Sequence, residues 1–232
     1  AGTMTMKLGS ASGGNYTNAT WTNQSVYIAV NNGSDAHSGH NSTTYTVRKS
    51  NGSTIYSNIT SAVTLDPGAG NTETYTIIIT TTDNAGNTAT RSYTVMIDKD
   101  APTVSFSPSG NETWKRNHST TVTITDKDGN IQSNVAVDYA WSGSGTSAPS
   151  SGWTTKNSGI TVSGKSATFT ISQGGLSGKY YLWIRTSSIK DDAGNTPPVA
   201  VSAKAFWFDN TAPTAGTMTM KLGSASGGNY TN

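Results

Sequence analysis

Apolar and polar residues alternate one for one along much of this chain. Met4, Met6 and Leu8 are separated by Thr5 and Lys7, and Val26, Ile28 and Val30 by Tyr27 and Ala29. A period of two places each set on one face of a strand. The same alternation continues in Tyr45/Val47, Val63/Leu65, Tyr75/Ile77/Ile79 and Tyr93/Val95/Ile97. Turn formers separate the runs: Asn31-Asn32-Gly33, Asn51-Gly52 before Ile55 and Tyr56, Asp66-Pro67-Gly68, and Asp83-Asn84-Ala85-Gly86-Asn87. The pattern predicts about seven short strands and no helix, which is the signature of a β-sandwich.

From Val104 the plan starts again with other side chains. Val104/Phe106 and Val122/Ile124 open it, Val135/Val137/Tyr139/Trp141 predict a central strand, and Phe169/Ile171, Tyr180/Leu182/Ile184 and Phe206/Phe208 follow. The loop Asp191-Asp192-Ala193-Gly194-Asn195 stands where Asp83–Asn87 stood. Trp21 and Trp114 fall outside these runs, and His118 is expected in a loop.

A stricter repetition lies on top of this one. Ala215–Asn232 is identical to Ala1–Asn18, so the chain restarts with a period of 214 residues and reads as a window on a tandem array. The phrase Asp209-Asn210-Thr211-Ala212-Pro213-Thr214 before the restart also occurs midway, as Asp98-Lys99-Asp100-Ala101-Pro102-Thr103. Each period therefore holds two units of sandwich size. The expected division is 1–98, 99–209, and a segment 210–232 made of linker and the start of the next copy. Serial copies add reach or avidity and do nothing for catalysis.

Composition narrows the classes further. Charged residues are 12% of the chain and the net charge is +2, which argues against nucleic acid as a partner. With no cysteine, disulfide staples, thiol catalysis and thiolate metal sites are excluded. No apolar run approaches the roughly 20 residues that span a bilayer, so an export signal or anchor is expected outside this stretch. No catalytic constellation is evident: Glu73 and Glu112 fall in different units, no Gly-x-Ser-x-Gly elbow occurs, and His37 and His40 lie on a Gly/Ser-rich loop. The chain is expected not to be an enzyme.

The pairing of Asp-x-Ala-Gly-Asn loops with Asp-x-x-Ala-Pro-Thr linkers, in strand-rich units of this length, resembles the bacterial immunoglobulin-like repeats of large cell-surface adhesins. The resemblance covers nearly the whole chain. It implies two immunoglobulin-like sandwiches in tandem, an extracellular place on the bacterial surface or cell wall, and a stalk or fibre that projects a distal region. Its partners would be neighbouring repeats and an unidentified receptor; in some members calcium stiffens the domain junctions.

In immunoglobulin topology the incoming linker lies beside the B–C and F–G loops of the next unit. Asp98 and Asp100 would then meet Asp126, Asp128 and Asp191, hard oxygen donors of the kind calcium takes. Asp209 would meet Asp35 and Asp83 of the following copy in the same way. The other reading is turn chemistry, because Asp and Asn also cap turns. Asp126–Asn130 is not an EF-hand, since the Glu that loop requires is missing.

A competing function rests on tryptophan. Trp141 and Trp153 flank Ser142–Gly152 and, if exposed, would stack on sugar rings, making the chain a carbohydrate-binding module; otherwise Trp141 packs in the core with Trp153 as its lid. Lys7 lies on a first strand, but Ser92–Ile97 offers no Asn for an intramolecular amide bond. Resistance to stretching would follow if the first and last strands of each sandwich were paired. The duplicated 215–232 also admits strand exchange with a neighbouring molecule.

Overall fold

The computed structural model describes residues 1–133, 136–185, 189–198, 200–221 and 223. The chain is all-β. Its strands are β1 (Thr3–Leu8), β2 (Trp21–Thr22), β3 (Val26–Asn31), β4 (His40–Lys49), β5 (Thr54–Ile59), β6 (Val63–Leu65), β7 (Thr72–Asp83) and β8 (Thr88–Asp98). There follow β9 (Thr103–Ser107), β10 (Asn111–Lys115), β11 (Asn117–Thr125), β12 (Val137–Ser142), β13 (Thr154–Lys156), β14 (Thr161–Ser163), β15 (Ser166–Gly174), β16 (Gly178–Arg185) and β17 (Ala200–Phe208).

Strands β1–β8 form one sandwich, with sheet β1-β3-β6 packed on sheet β2-β8-β7-β4-β5. Its core takes Val26, Ile28 and Leu65 from the first sheet and Tyr45, Val47, Tyr75, Ile77, Ile79, Val95 and Ile97 from the second. Strands β9–β17 form the other, with sheets β14-β15-β11-β9 and β10-β17-β16-β12-β13 around Val122, Ile124, Phe169, Ile171, Leu182, Ile184, Phe206 and Phe208. Both have the strand order of an immunoglobulin-like sandwich. The inward residues are those the alternation marks, because β-branched and aromatic side chains favour a pleated, half-buried surface. Val135, expected to begin the central strand, lies outside the described residues.

Several elements differ from the sequence expectation. Trp21 and Trp114 are on strands, not outside them: β2 runs parallel to β8 (Trp21↔Met96) and β10 parallel to β17 (Lys115↔Phe208). Neither stretch alternates, so the period-two reading passes over them. The first strand of each sandwich does not pair with its last. Instead β1 pairs with β3 from Thr3↔Asn31 to Leu8↔Val26, and β9 pairs with β11, while the short second strand takes the edge beside the last. His118 is not in a loop either. It lies buried on β11, its Nε2 2.8 Å from the Trp207 carbonyl and its ring edge-on to Phe206 and Phe208.

Candidate metal centre

Three carboxylates from the two sandwiches meet where the chain passes from one to the other. Asp98 ends β8, Asp126 follows β11, and Asp191 lies between β16 and β17 at the start of the Asp191–Asn195 turn. They are 0%, 1% and 0% exposed, and one oxygen of each lies within 4.8 Å of the others. Isolated buried carboxylates are rare, so the surroundings decide what this cluster can do.

Each carboxylate is fixed by local turn chemistry. Asp126 Oδ1 accepts the N–H groups of Asp128, at 2.9 Å, and Gly129. Asp191 Oδ1 accepts the Asn195 N–H at 2.8 Å, and its Oδ2 accepts Asn195 Nδ2 at 2.8 Å. Asp98 Oδ1 accepts the Thr72 hydroxyl at 2.7 Å and the Asp100 N–H at 2.9 Å. What remains is unsatisfied: Asp98 Oδ2 and Asp126 Oδ2 are buried without a hydrogen-bond partner.

The junction is held across the sandwiches as well as within them. Asn195 Nδ2 also donates to the Asp98 carbonyl at 2.8 Å, and the Asn23 N–H donates to the Ala193 carbonyl at 3.2 Å. Gly129 closes the pocket. A Cβ there would stand 3.0 Å from Asp98 Oδ2 and 3.2 Å from Asp126 Oδ1, so a side chain would intrude on both carboxylates.

Two like charges 4.8 Å apart repel by roughly 3 kcal/mol at an effective dielectric constant of about 20. Burial, reinforced by the charge of Asp98, pushes the carboxyls of Asp126 and Asp191 above the usual carboxylate range despite the N–H bonds they accept. A proton or a cation relieves this strain. Calcium binds hard oxygens at about 2.3–2.6 Å, so oxygens on opposite sides of one ion lie about 4.6–5.2 Å apart. The three carboxylates fit that span and supply part of its shell of six to eight ligands.

Of the five residues expected at this junction, the structure brings together Asp98, Asp126 and Asp191. Asp100 and Asp128 stand outside the cluster, half-buried; Asp100 turns its N–H to Asp98, and Asp128 lies 3.7 Å from Lys127 Nζ. Asp35 and Asp83 occupy the far end of the first sandwich in equivalent loops. Asp35 Oδ1 accepts the N–H groups of His37, Ser38 and Gly39, and Asp83 is clamped by Asn87 as Asp191 is by Asn195. These bonds, first those from the His37 N–H to Asp35 and the Asn87 side chain to Asp83, hold both carboxyls below the usual range. Asp209 accepts the Thr211 N–H at 2.9 Å, repeating the turn between Asp98 and Asp100. Sequence reasoning missed Asn195, Gly129 and Thr72, although the recurrence of Asn at the end of both Asp-x-Ala-Gly-Asn loops was a usable signal for the first.

His40 Nε2 lies 2.8 Å from the Thr43 hydroxyl, and His37 is exposed. Lys7 Nζ donates to Asn15 Oδ1 at 2.6 Å. Trp141 packs edge-on against Phe206 and Phe208, both centroids 5.4 Å away. Trp153 donates to the Pro149 carbonyl and lies under the Arg185 guanidinium, 4.0 Å from its ring centroid. Among the described residues no helix is long and apolar enough to cross a membrane.

No family model matches the chain, and no curated protein does. Among solved structures it is similar to the fibronectin(III)-like modules of CbhA from Clostridium thermocellum, at 12% identity and a TM-score of 0.31, over 93% of this chain and 100% of that one. The sandwich architecture stands on the strand pairing itself.

Proposed function

We propose that this chain is a non-catalytic structural spacer, part of the tandem-repeat stalk of an extracellular bacterial surface protein, whose sandwich junction is stiffened by a calcium ion. The observation that carries the reading is the convergence of buried Asp98, Asp126 and Asp191 from two sandwiches, with two oxygens lacking any partner. A cation there ties the end of one sandwich to two loops of the next, which is what a load-bearing shaft needs at each joint. The exact recurrence of Ala1–Asn18 at Ala215–Asn232 supports serial copies, and the matching turns at Asp209, Asp35 and Asp83 support the same joint between copies.

Calorimetry in millimolar calcium and in excess chelator tests it. Calcium is expected to raise Tm by several degrees, because a ligand that binds only the folded state stabilises it by mass action. Asp126→Asn is expected to remove most of that gain. An identical Tm in both buffers overturns the calcium joint.

A further inference from the structure

The second sandwich is open along a flank where the first is closed. Tyr45 and Tyr139 hold equivalent places, opposite Ile79 on β7 and Ile184 on β16. Tyr45 is 1% exposed: β5 pairs with β4 as far as Tyr45↔Ile59, and the Tyr45 hydroxyl donates to the Ser61 carbonyl at 2.6 Å. Tyr139 lacks that cover. β13 pairs with β12 only from Val137 to Tyr139, and β14 with β15 only from Ser166 to Thr168.

Both sheets therefore stop short on the same flank, and a slit is left between them. One recess, of about 300 Å³, is lined by Tyr139, Lys156, Thr170 and Ser172 among others. A second, of about 200 Å³, continues from Tyr139 to Trp141, Gly152 and Gln173. The lining holds no residue of either linker, so the slit belongs to the flank of the sandwich and not to a joint.

Three kinds of group in the slit lack a partner. β11 pairs with one edge of β15 as far as Gly174, but past Thr168 no strand among the described residues pairs with the other edge. Every second residue there presents an N–H and a C=O with no strand opposite. The Trp141 indole N–H is buried without an acceptor. Lys156, the one charged residue of the lining, is half-buried and forms no ion pair among the described residues.

These groups select the occupant. A row of donors and acceptors at strand spacing is matched by another extended main chain, which repeats the same alternation. A sugar or an apolar ligand would leave most of that row unpaired. The indole N–H can only donate and so takes a carbonyl, and the lysine takes a carboxylate.

We propose that the flank of the second sandwich binds an extended, acidic polypeptide segment, which adds to the free edge of β15 as a further strand and sets a carboxylate at Lys156. This goes beyond the spacer reading and does not depend on the cation. The test titrates the full chain, in calcium and in chelator, with the hexapeptide acetyl-Thr-Val-Asp-Val-Thr-Val-amide, and follows the indole N–H signals by NMR. Saturable movement of the Trp141 signal, assigned with Trp141→Phe, is expected in both buffers. Two versions of the peptide N-methylated on alternate residues, one in each register, remove the donors of one edge at a time. One of the two should bind about tenfold more weakly or worse. Lys156→Glu should weaken binding and shift the preference to the peptide with Lys in place of Asp; Tm verifies that this rim variant folds. The proposal is overturned by a Trp141 signal that millimolar peptide does not move, or by N-methylated peptides that both bind as the parent does. An unchanged preference in Lys156→Glu, or a signal moved by xylohexaose and not by peptide, overturns it equally.

Discussion

At the scale of single residues, Gly129 decides whether the junction has room for an ion. Its backbone follows Asp126 so closely that it bonds Asp126 Oδ1, and any side chain would push against Asp98 Oδ2 at 3.0 Å. Gly129→Ala leaves all three carboxylates in place but spreads them. Calcium affinity measured by calorimetric titration should fall by about tenfold, or about 1.4 kcal/mol. An unchanged affinity would mean that the ion does not use these oxygens. The carboxylates themselves were readable from the linker and loop motifs, since Asp98 begins the Asp-x-x-Ala-Pro-Thr linker, Asp126 follows β11 and Asp191 begins the Asp-x-Ala-Gly-Asn loop. The choice among five candidates was not. Asp100 and Asp128 differ from their neighbours only in which way a turn directs them, and that follows from the N–H bonds Asp98 and Asp126 accept, which spacing alone does not encode.

The elements were legible where one face is buried and illegible where pairing depends on an edge. Tyr75/Ile77/Ile79 on β7 and Tyr93/Val95/Ile97 on β8 announce themselves by alternation, whereas β2 is two residues long and β10 is mostly exposed. The two cores also differ in chemistry. The first buries Tyr45 and Tyr75, whose phenols burial pushes up to about 12, with nearby negative charge adding to it. The largest buried side chains of the second, Phe206 and Phe208, do not ionise. In the unfolded chain a tyrosine ionises near pH 10. Between pH 10 and 12 the unfolded first sandwich therefore releases protons that the folded one keeps, and stability falls as pH rises through that window. The first sandwich should thus unfold before the second in alkali, its two buried tyrosines ionising together with the loss of structure. Ionisation of all tyrosines near pH 10 with the fold retained would contradict this packing account.

For the whole molecule the question is how two separate cores act as one rod. The direct hydrogen bonds described between the sandwiches are few, Asn195 to the Asp98 carbonyl and Asn23 to the Ala193 carbonyl, and although Lys99 of the linker is bonded to Gly70, Asn71 and Asp66 of the first sandwich, so few bonds across the joint permit hinge motion beyond it. A cation bound by Asp98, Asp126 and Asp191 would replace mutual repulsion by shared attraction and restrain the end of β8 against both loops. Asn195 participates in each restraint, because one amide group bonds both Asp191 Oδ2 and the Asp98 carbonyl. Distances between spin labels placed one on each sandwich should accordingly spread widely in chelator and narrow in calcium. Asn195→Ala should widen the distribution further in chelator and narrow it only in part when calcium is added. If the wild-type distribution is equally broad in both buffers, the ion contributes to folding stability alone and the joint is not what stiffens the stalk. If it is equally narrow in both, packing around Asn195 and Asn23 already fixes the angle, and Asn195→Ala becomes the variant that releases it.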